Sequence, residues 1–454
     1  MKRILCLGVL LVAVWCLSAV NRLTFNQLQS GGWEHMIGQT VCITTPLVVC
    51  GTFADSVLLA PERLYVPEER AAGLADGDSA DYWRREAYNR SMRICLQCPK
   101  SFDLNLGAVV HNLKAKVTGV RRLQTGRMPR FRNFWPSKRL PSLNNPDLVL
   151  CAANIQNYFV HLGGYASANT TPGQHALQAH KVASALVALK ADLYALCELE
   201  KGETAPAELT AEMNSLMHGD CFDFVRTEVP DGDTISVGFI YNRNRVHPYG
   251  RLCFAYPDRN SIYACRFLLQ GFEDCRTGER FVLSLNHLRS KRGKSQESLA
   301  KRMANVSVLL RGIRSAYADS LYTDPDVLLV GDFNAYAMER PLQTLVREGY
   351  EDLLPRFDSL AYTYSYHGEC GALDRVYASP SMAAQVTAVC PVHWNTDFYW
   401  SAAYWSKYNF KNRLIPQERP VDLRRVLSRA ARRNLLFRYS DHDPLLIGIR
   451  FSPR

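Results

Sequence analysis

Residues 326–334 read DVLLVGDFN. The apolar run is too short for a helix, and its Val and Leu content with a Gly after it suits a strand buried on both faces. It stops on Asp332 and Asn334. One polar residue at a strand end is ordinarily a turn former, but the arrangement recurs along the chain. LVLCAANI (148–155) carries Asn154, with Asn157 just beyond. DLYALCELE (192–200) carries Glu198, and FVLSLNHL (281–288) carries Asn286 and His287. ALDRVYAS (372–379) carries Asp374, and SDHDPLLIGIRF (440–451) sets Asp441, His442 and Asp443 ahead of another buried run. SVGFIYN (236–242) adds a further strand. Between the strands, residues 174–190 place Leu177, Val182, Leu186 and Leu189 near helical spacing, and residues 295–314 do so with Leu299, Met303, Val306, Leu310 and Ile313. Strands alternating with amphipathic helices predict an α/β domain whose sheets are covered by helices, and in such folds sites gather at strand ends.

Outward from that domain, the chain of 454 residues is 47% apolar and 21% charged. That suits more than one folded domain and excludes a mainly disordered chain. At the N-terminus, Lys2 and Arg3 precede an apolar run, and Leu17-Ser18-Ala19 resembles a cleavage site. The run is short for a spanning helix, so a signal peptide over residues 1–19 is expected. The product would then be exported (periplasmic, cell-surface or extracellular) and would have no stable membrane span. Residues 20–140 hold short β-rich runs divided by Gly, Pro and Asp, such as QTVCITTPLVVCGTF (39–53) and VVHNLKAKVTGVRRL (109–123). They predict a small all-β domain, followed by a Pro- and Arg-rich linker to about residue 147. The α/β domain would occupy residues 148–454.

Of the 14 cysteines, two fall in the leader. The even remainder makes disulfides an expectation for an exported chain, with Cys42/Cys50, Cys95/Cys98 and Cys253/Cys265 as locally spaced candidates. The Cys95-Leu-Gln-Cys98 pair lacks the second half of a zinc site. Cys151 and Cys197 lie in apolar runs and read as buried thiols. A formal charge of +11 favours polyanionic partners. Residues 411–438 are dense in Arg, which fits either a solvated helix face or a rim facing nucleic acid.

The strand-end residues are Asn, Asp, Glu and His. Carboxylate and amide oxygens suit a hard cation such as Mg²⁺ or Ca²⁺ better than zinc, and an imidazole beside a carboxylate can serve as a general base. There is no Gly-rich phosphate loop and no GxSxG elbow. Metal-assisted attack of water on a phosphate ester fits this set.

The motifs NIQNYF, CELE, NHLRSK, GDFNA, LDRVYAS and SDHDP follow one another in this order over residues 148–452. In that order they resemble the endonuclease/exonuclease/phosphatase superfamily, closest to bacterial exported nucleases. The resemblance implies a deoxyribonuclease I-like β-sandwich flanked by helices, and residues 20–140 resemble the OB-like domains that precede some such nucleases. It implies Glu198 as the main ligand of Mg²⁺ (or Ca²⁺ or Mn²⁺), with Asn154 and Asp441 completing the site. His442, oriented by Asp374, would be the general base or a phosphate contact, and His287 would bind or protonate the scissile phosphate. Asp332 and Asn334 would orient water and phosphate oxygens, with the Asp332 and His442 roles exchangeable. Asn157, Asn286, Arg289 and the rim arginines Arg424, Arg425, Arg432 and Arg433 would contact substrate. Lys201 stands where such nucleases often carry Asn, and the insertion from Thr396 to Arg438 is long. The expectation is a secreted, monomeric, metal-dependent nuclease acting on DNA or RNA. The alternatives are a phospholipid phosphodiesterase with exposed apolar loops near FYWSAAYW (398–405) and a catalytically idle nucleic-acid-binding module.

Overall fold

The computed structural model describes residues 20–53, 55–70, 80–99, 104–133, 137–162, 172–227, 235–254, 266–293, 295–398 and 435–451. The N-terminal part contributes β1 (Asn21–Leu23), β2 (Thr40–Ile43), β3 (Leu47–Thr52), β4 (Ser56–Ala60), β5 (Leu64–Tyr65), β6 (Ile94–Gln97), β7 (Val109–Val110), β8 (Leu113–Gly119), β9 (Arg122–Gln124) and β10 (Phe131–Arg132). All but β5 join one sheet in the order β1-β2-β8-β9-β6-β4-β3-β7-β10. Strict alternation builds it. In β8, Leu113, Ala115 and Val117 are buried while Lys114, Lys116 and Thr118 face water, the period of two expected for a half-buried strand. Its core gathers Phe25, Trp33, Val41, Leu47, Leu59, Ile94 and Leu123.

The region is not wholly β. A helix, α3 (Ala80–Met92), follows the two short ones α1 (Phe25–Ser30) and α2 (Pro67–Arg70). Its sequence has no apolar stripe, and it is supported by ion pairs one turn apart: Arg85 with Asp81 at 2.9 Å and Arg90 with Glu86 at 2.9 Å. The cysteine expectation also changes. Cys42, Cys50, Cys95 and Cys98 are free thiols. Cys95 and Cys98 are three residues apart along an extended chain and face opposite sides, one exposed and one buried, so they cannot meet. Of the Cys253/Cys265 pair, Cys265 lies outside the described residues.

The rest of the chain forms β11 (Leu148–Tyr158), β12 (Leu193–Glu200), β13 (Phe222–Phe224), β14 (Ile235–Asn242), β15 (Val246–Phe254), β16 (Arg266–Asp274), β17 (Arg280–His287), β18 (Val327–Asp332), β19 (Glu351–Asp352), β20 (Tyr364–Tyr366), β21 (Glu369–Gly371), β22 (Asp374–Ala378), β23 (Val386–Pro391) and β24 (Leu445–Ile449). Two six-stranded sheets result, β13-β14-β12-β11-β24-β23 and β15-β16-β17-β18-β22-β19. Their inner faces share one core: Leu148, Leu150, Leu193, Ala195 and Phe239 from the first meet Leu283, Leu285, Leu328, Val330 and Val376 from the second. The helices α4 (Pro172–Leu189) and α5 (Thr204–Met217) cover the outer face of the first sheet. The helices α6 (Ser295–Ala318) and α7 (Arg340–Arg347) cover the second. These are the helix-covered sheets that the strand pattern predicts, in the two-sheet sandwich that the family resemblance implies. No helix among the described residues is long and apolar enough to cross a membrane.

Each sheet is centred on a parallel pair, β11 with β12 and β17 with β18. The carboxyl ends of these pairs carry Asn154, Glu198, His287 and Asp332. A third, small sheet, β20-β21-β5, ties the two parts together. Strand β5 lies parallel to β21, with Leu64 opposite Glu369 and Tyr65 opposite Cys370. Side chains reinforce the seam. Arg63 is bidentate to Asp397 at 2.7 and 2.8 Å, and Asn89 donates to Glu369 at 2.6 Å. The buried Arg375 bonds both Glu69 and Asp352.

Candidate active site

Backbone irregularities aim the first set of side chains. Along β12, Leu193, Ala195 and Cys197 point to the inter-sheet core while Tyr194 and Leu196 point to the helices. Leu199 should return to the inner face but joins the helix side. The slip occurs because Glu198 is an inserted residue at a bulge, with φ of +69°. Bulges re-aim side chains, and a non-glycine residue at positive φ stores strain of about 1–3 kcal/mol. The neighbouring strand breaks register between Asn154 and Tyr158, with Gln156 and Asn157 also left-handed. There the Asn157 N–H donates to Glu198 Oε2 at 2.8 Å. Asn157 Oδ1 is buried with no hydrogen-bond partner. Within β18, Gly331 (φ +125°) is required because a Cβ there would sit 2.0 Å from Asn286 O.

Asn154 links the two sheets: its Nδ2 donates to Glu198 Oε1 at 3.0 Å and to Asp332 Oδ2 at 3.1 Å. Asp332 also accepts from the backbone N–H of Asn334 at 2.8 Å and from its side-chain Nδ2 at 3.1 Å. His287 Nε2 lies 3.6 Å from Asp332 Oδ2 and 3.9 Å from Glu198 Oε1. On the other side, His442 Nε2 lies 3.9 Å from Asp332 Oδ2, and its Nδ1 is bonded to Asp374 Oδ2 at 2.8 Å. Two ligand groups therefore share Asp332: Glu198 with His287, and Asp374 with His442.

Three carboxylates thus converge with no arginine or lysine among the described residues bonded to them. Burial raises the Asp332 carboxyl. His442 opposes the rise, Asp374 and Glu198 add to it, and the pKa is pushed up to about 7. Burial alone would lower the pKa of His442, but Asp374 and Asp332 outweigh it and hold the imidazolium well above the usual range. Surplus negative charge, an orphaned Asn157 acceptor and a half-open Glu198 fit a divalent cation. Glu198, Asp332 and Asn157 would supply oxygens to it, with His287 beside them.

Several expectations are refined. Asp441 stands outside both ligand groups and lines a neighbouring cavity. The side chain of Asn286 lies inside the sheet, donating to Ser284 O and Val330 O at 3.1 Å each. The Arg289 N–H bonds Asn305. Glu200, the second acid of CELE, holds the backbone of Val160 and His161. Asp443 closes a turn by accepting from the N–H groups of Asn395 and Thr396 and pairing with His393. Phe398, the described start of the proposed apolar loop, is buried. Arg424, Arg425, Arg432 and Arg433 lie outside the described residues. The sequence leaves Tyr364 open between a core and a base-stacking role, and its ring lies 4.7 Å from that of His442; sequence reasoning missed His393, stacked at 4.2 Å on Tyr362. The clustered aromatic and His residues of YTYSYHG and HWNTD were the available signal.

A two-sheet sandwich with carboxylates and imidazoles converging at its strand ends defines a class of phosphoester hydrolases. The chain belongs to the endonuclease/exonuclease/phosphatase family, whose family model matches residues 154–442. No curated protein matches it. Among solved structures it is similar to an endonuclease/exonuclease/phosphatase from Bacteroides vulgatus, at 14% identity over 67% of this chain and 99% of that one, with a TM-score of 0.43. It is also similar to the human Nocturnin catalytic domain with bound sulfate (13%, 68% and 94%, 0.42) and to TDP2 from C. elegans (15%, 67% and 75%, 0.41).

Proposed function

We propose that the protein is an exported, divalent-metal-dependent nuclease that hydrolyses phosphodiester bonds of DNA or RNA. The observation that carries the chemistry is Asp332 standing between a Glu198–His287 group and a His442–Asp374 pair. The basic balance of the chain supports a polyanionic substrate, and the N-terminal leader pattern supports export. A bound Mg²⁺ or Mn²⁺ would neutralise the phosphate and lower the barrier to attack. Asp374 fixes His442 through Nδ1 and leaves Nε2 facing Asp332. The attacking water gives its proton to the Asp332–His442 pair as its oxygen bonds to phosphorus, and the bond to the leaving sugar oxygen breaks as that oxygen takes up a proton from solvent. His287 binds a phosphate oxygen, while Asn154 and Asn334 hold Asp332 in place.

The test is a panel of duplex DNA, single strands, RNA, nucleotides and phospholipid vesicles against a series of divalent metals. Degradation of nucleic acid that is lost with chelator and with Glu198→Ala is expected. Vesicle hydrolysis alone would favour the phospholipid alternative, and binding without turnover in any metal would favour an idle module.

A further inference from the structure

Next to the catalytic cluster lies a cavity of about 260 Å³ whose walls come from both parts of the chain. The N-terminal sheet supplies Thr52 and Phe53 at the end of β3, and the sandwich supplies Tyr364, His367, Arg438 and Asp441. It adjoins the site through two of its lining residues: Tyr364 packs on His442, and Asp441 is the residue before it in the chain. A substrate whose phosphate sits at His442 has this cavity beside it for a neighbouring group.

The cavity falls below the roughly 300 Å³ at which pockets for drug-sized ligands begin, so it has room for one nucleotide and not for a duplex. Its chemistry suits a base. Phe53 is a large apolar side chain left 44% exposed at the lip, and aromatic faces stack any base. The Asp441 carboxylate and Arg438 guanidinium offer an acceptor and donors for base or sugar edges. The walls are also built to stay close. Gly51 and Gly368 line the cavity from opposite sides, and a Cβ on Gly51 would lie 3.6 Å from Gly368 Cα. At Gly368, φ is +85°, a conformation side chains rarely adopt, and a Cβ would meet Leu58 Cδ2 at 2.3 Å, so any side chain there would be strained and would displace Leu58.

We infer that this cavity, on the nuclease reading above, is a subsite for one unpaired nucleotide beside the scissile phosphate. Its base packs against Phe53 and Tyr364, so single-stranded or frayed nucleic acid is cut in preference to intact duplex. The N-terminal sheet is then part of the substrate site.

The full chain is assayed with Mg²⁺ or Mn²⁺ on a labelled single-stranded oligonucleotide, on the same sequence as a blunt duplex, and on bis(para-nitrophenyl) phosphate, a phosphodiester without a base. Wild type is expected to cut the single strand faster than the duplex. In Phe53→Ala, KM for the oligonucleotide should rise, and discrimination in its favour over bis(para-nitrophenyl) phosphate should fall about tenfold. Phe53→Trp should preserve that discrimination. A wild-type nuclease that prefers duplex, or whose discrimination survives Phe53→Ala, overturns the subsite and leaves the nuclease reading standing. Hydrolysis of bis(para-nitrophenyl) phosphate with no cleavage of any nucleic acid overturns both.

Discussion

Two regions of the molecule bury carboxylates, and they balance charge in opposite ways. At the seam between the N-terminal sheet and the sandwich, four buried or half-buried acids meet guanidinium groups. Asp397 takes both arms of Arg63, Glu369 meets Arg93, and Glu69 and Asp352 share Arg375. At the strand ends, Glu198, Asp332 and Asp374 meet imidazoles and amides, and the backbone beneath them is strained. The same residue types hold the fold where their charges cancel and signal chemistry where they do not.

Breaking each region should separate the two roles. The largest effect belongs to the centre: Glu198→Ala or His442→Ala should lower kcat about 10²–10⁴-fold with little change in the unfolding midpoint, as read by turnover and thermal melts of the same samples. The seam should behave in reverse. Arg375→Met leaves two buried acids uncompensated and should cost about 3–5 kcal/mol in denaturant unfolding. Metal sharpens the contrast. Adding Mg²⁺ or Mn²⁺ to 100 times its dissociation constant should stabilise the wild type by about 2.7 kcal/mol, while Glu198→Ala should gain far less. Arg375→Met should keep the full increment.

A smaller effect tests the turn that joins the regions. Burial pulls the His393 pKa down, but its bond to Asp443 and the charges of Asp443 and Asp397 raise it above the ordinary value of 6.5. A raised histidine adds its full stability below the unfolded value and loses it as pH climbs through the folded one. The stability gap between wild type and His393→Gln should therefore be widest below about pH 6.5 and shrink above it. Smallest of all, replacing Arg424, Arg425, Arg432 and Arg433 with Gln should flatten the salt dependence of nucleic-acid binding. An unchanged slope would remove the arginine rim from the substrate surface.

Much of the sandwich was legible because strands buried on both faces read as unbroken apolar runs, and α4 and α6 because their apolar residues keep helical spacing. The helix α3 was hidden, since its support comes from ion pairs and from Asn89 reaching Glu369. The hairpin of β15 and β16 was hidden too, because Pro248 and Gly250 interrupt a half-exposed strand. At the site, residue types pointed to Glu198, Asp332, Asp374 and both histidines, which the structure brings together. The bulge that turns Glu198 inward left no trace in CELE, where inner and outer positions are alike apolar. The clamp of Arg63 on Asp397 spans 334 positions, beyond any local pattern.

That reach also sets an order of events. Strand β5 emerges early in synthesis, yet its partner β21 lies about three hundred positions downstream, and such distant pairings form late. Tyr364 and the hairpin that carries it have no settled edge until both chain halves are present. A chain begun at residue 148 would lack that third strand, and a nascent one would not complete the small sheet beside the candidate site until nearly its whole length had folded.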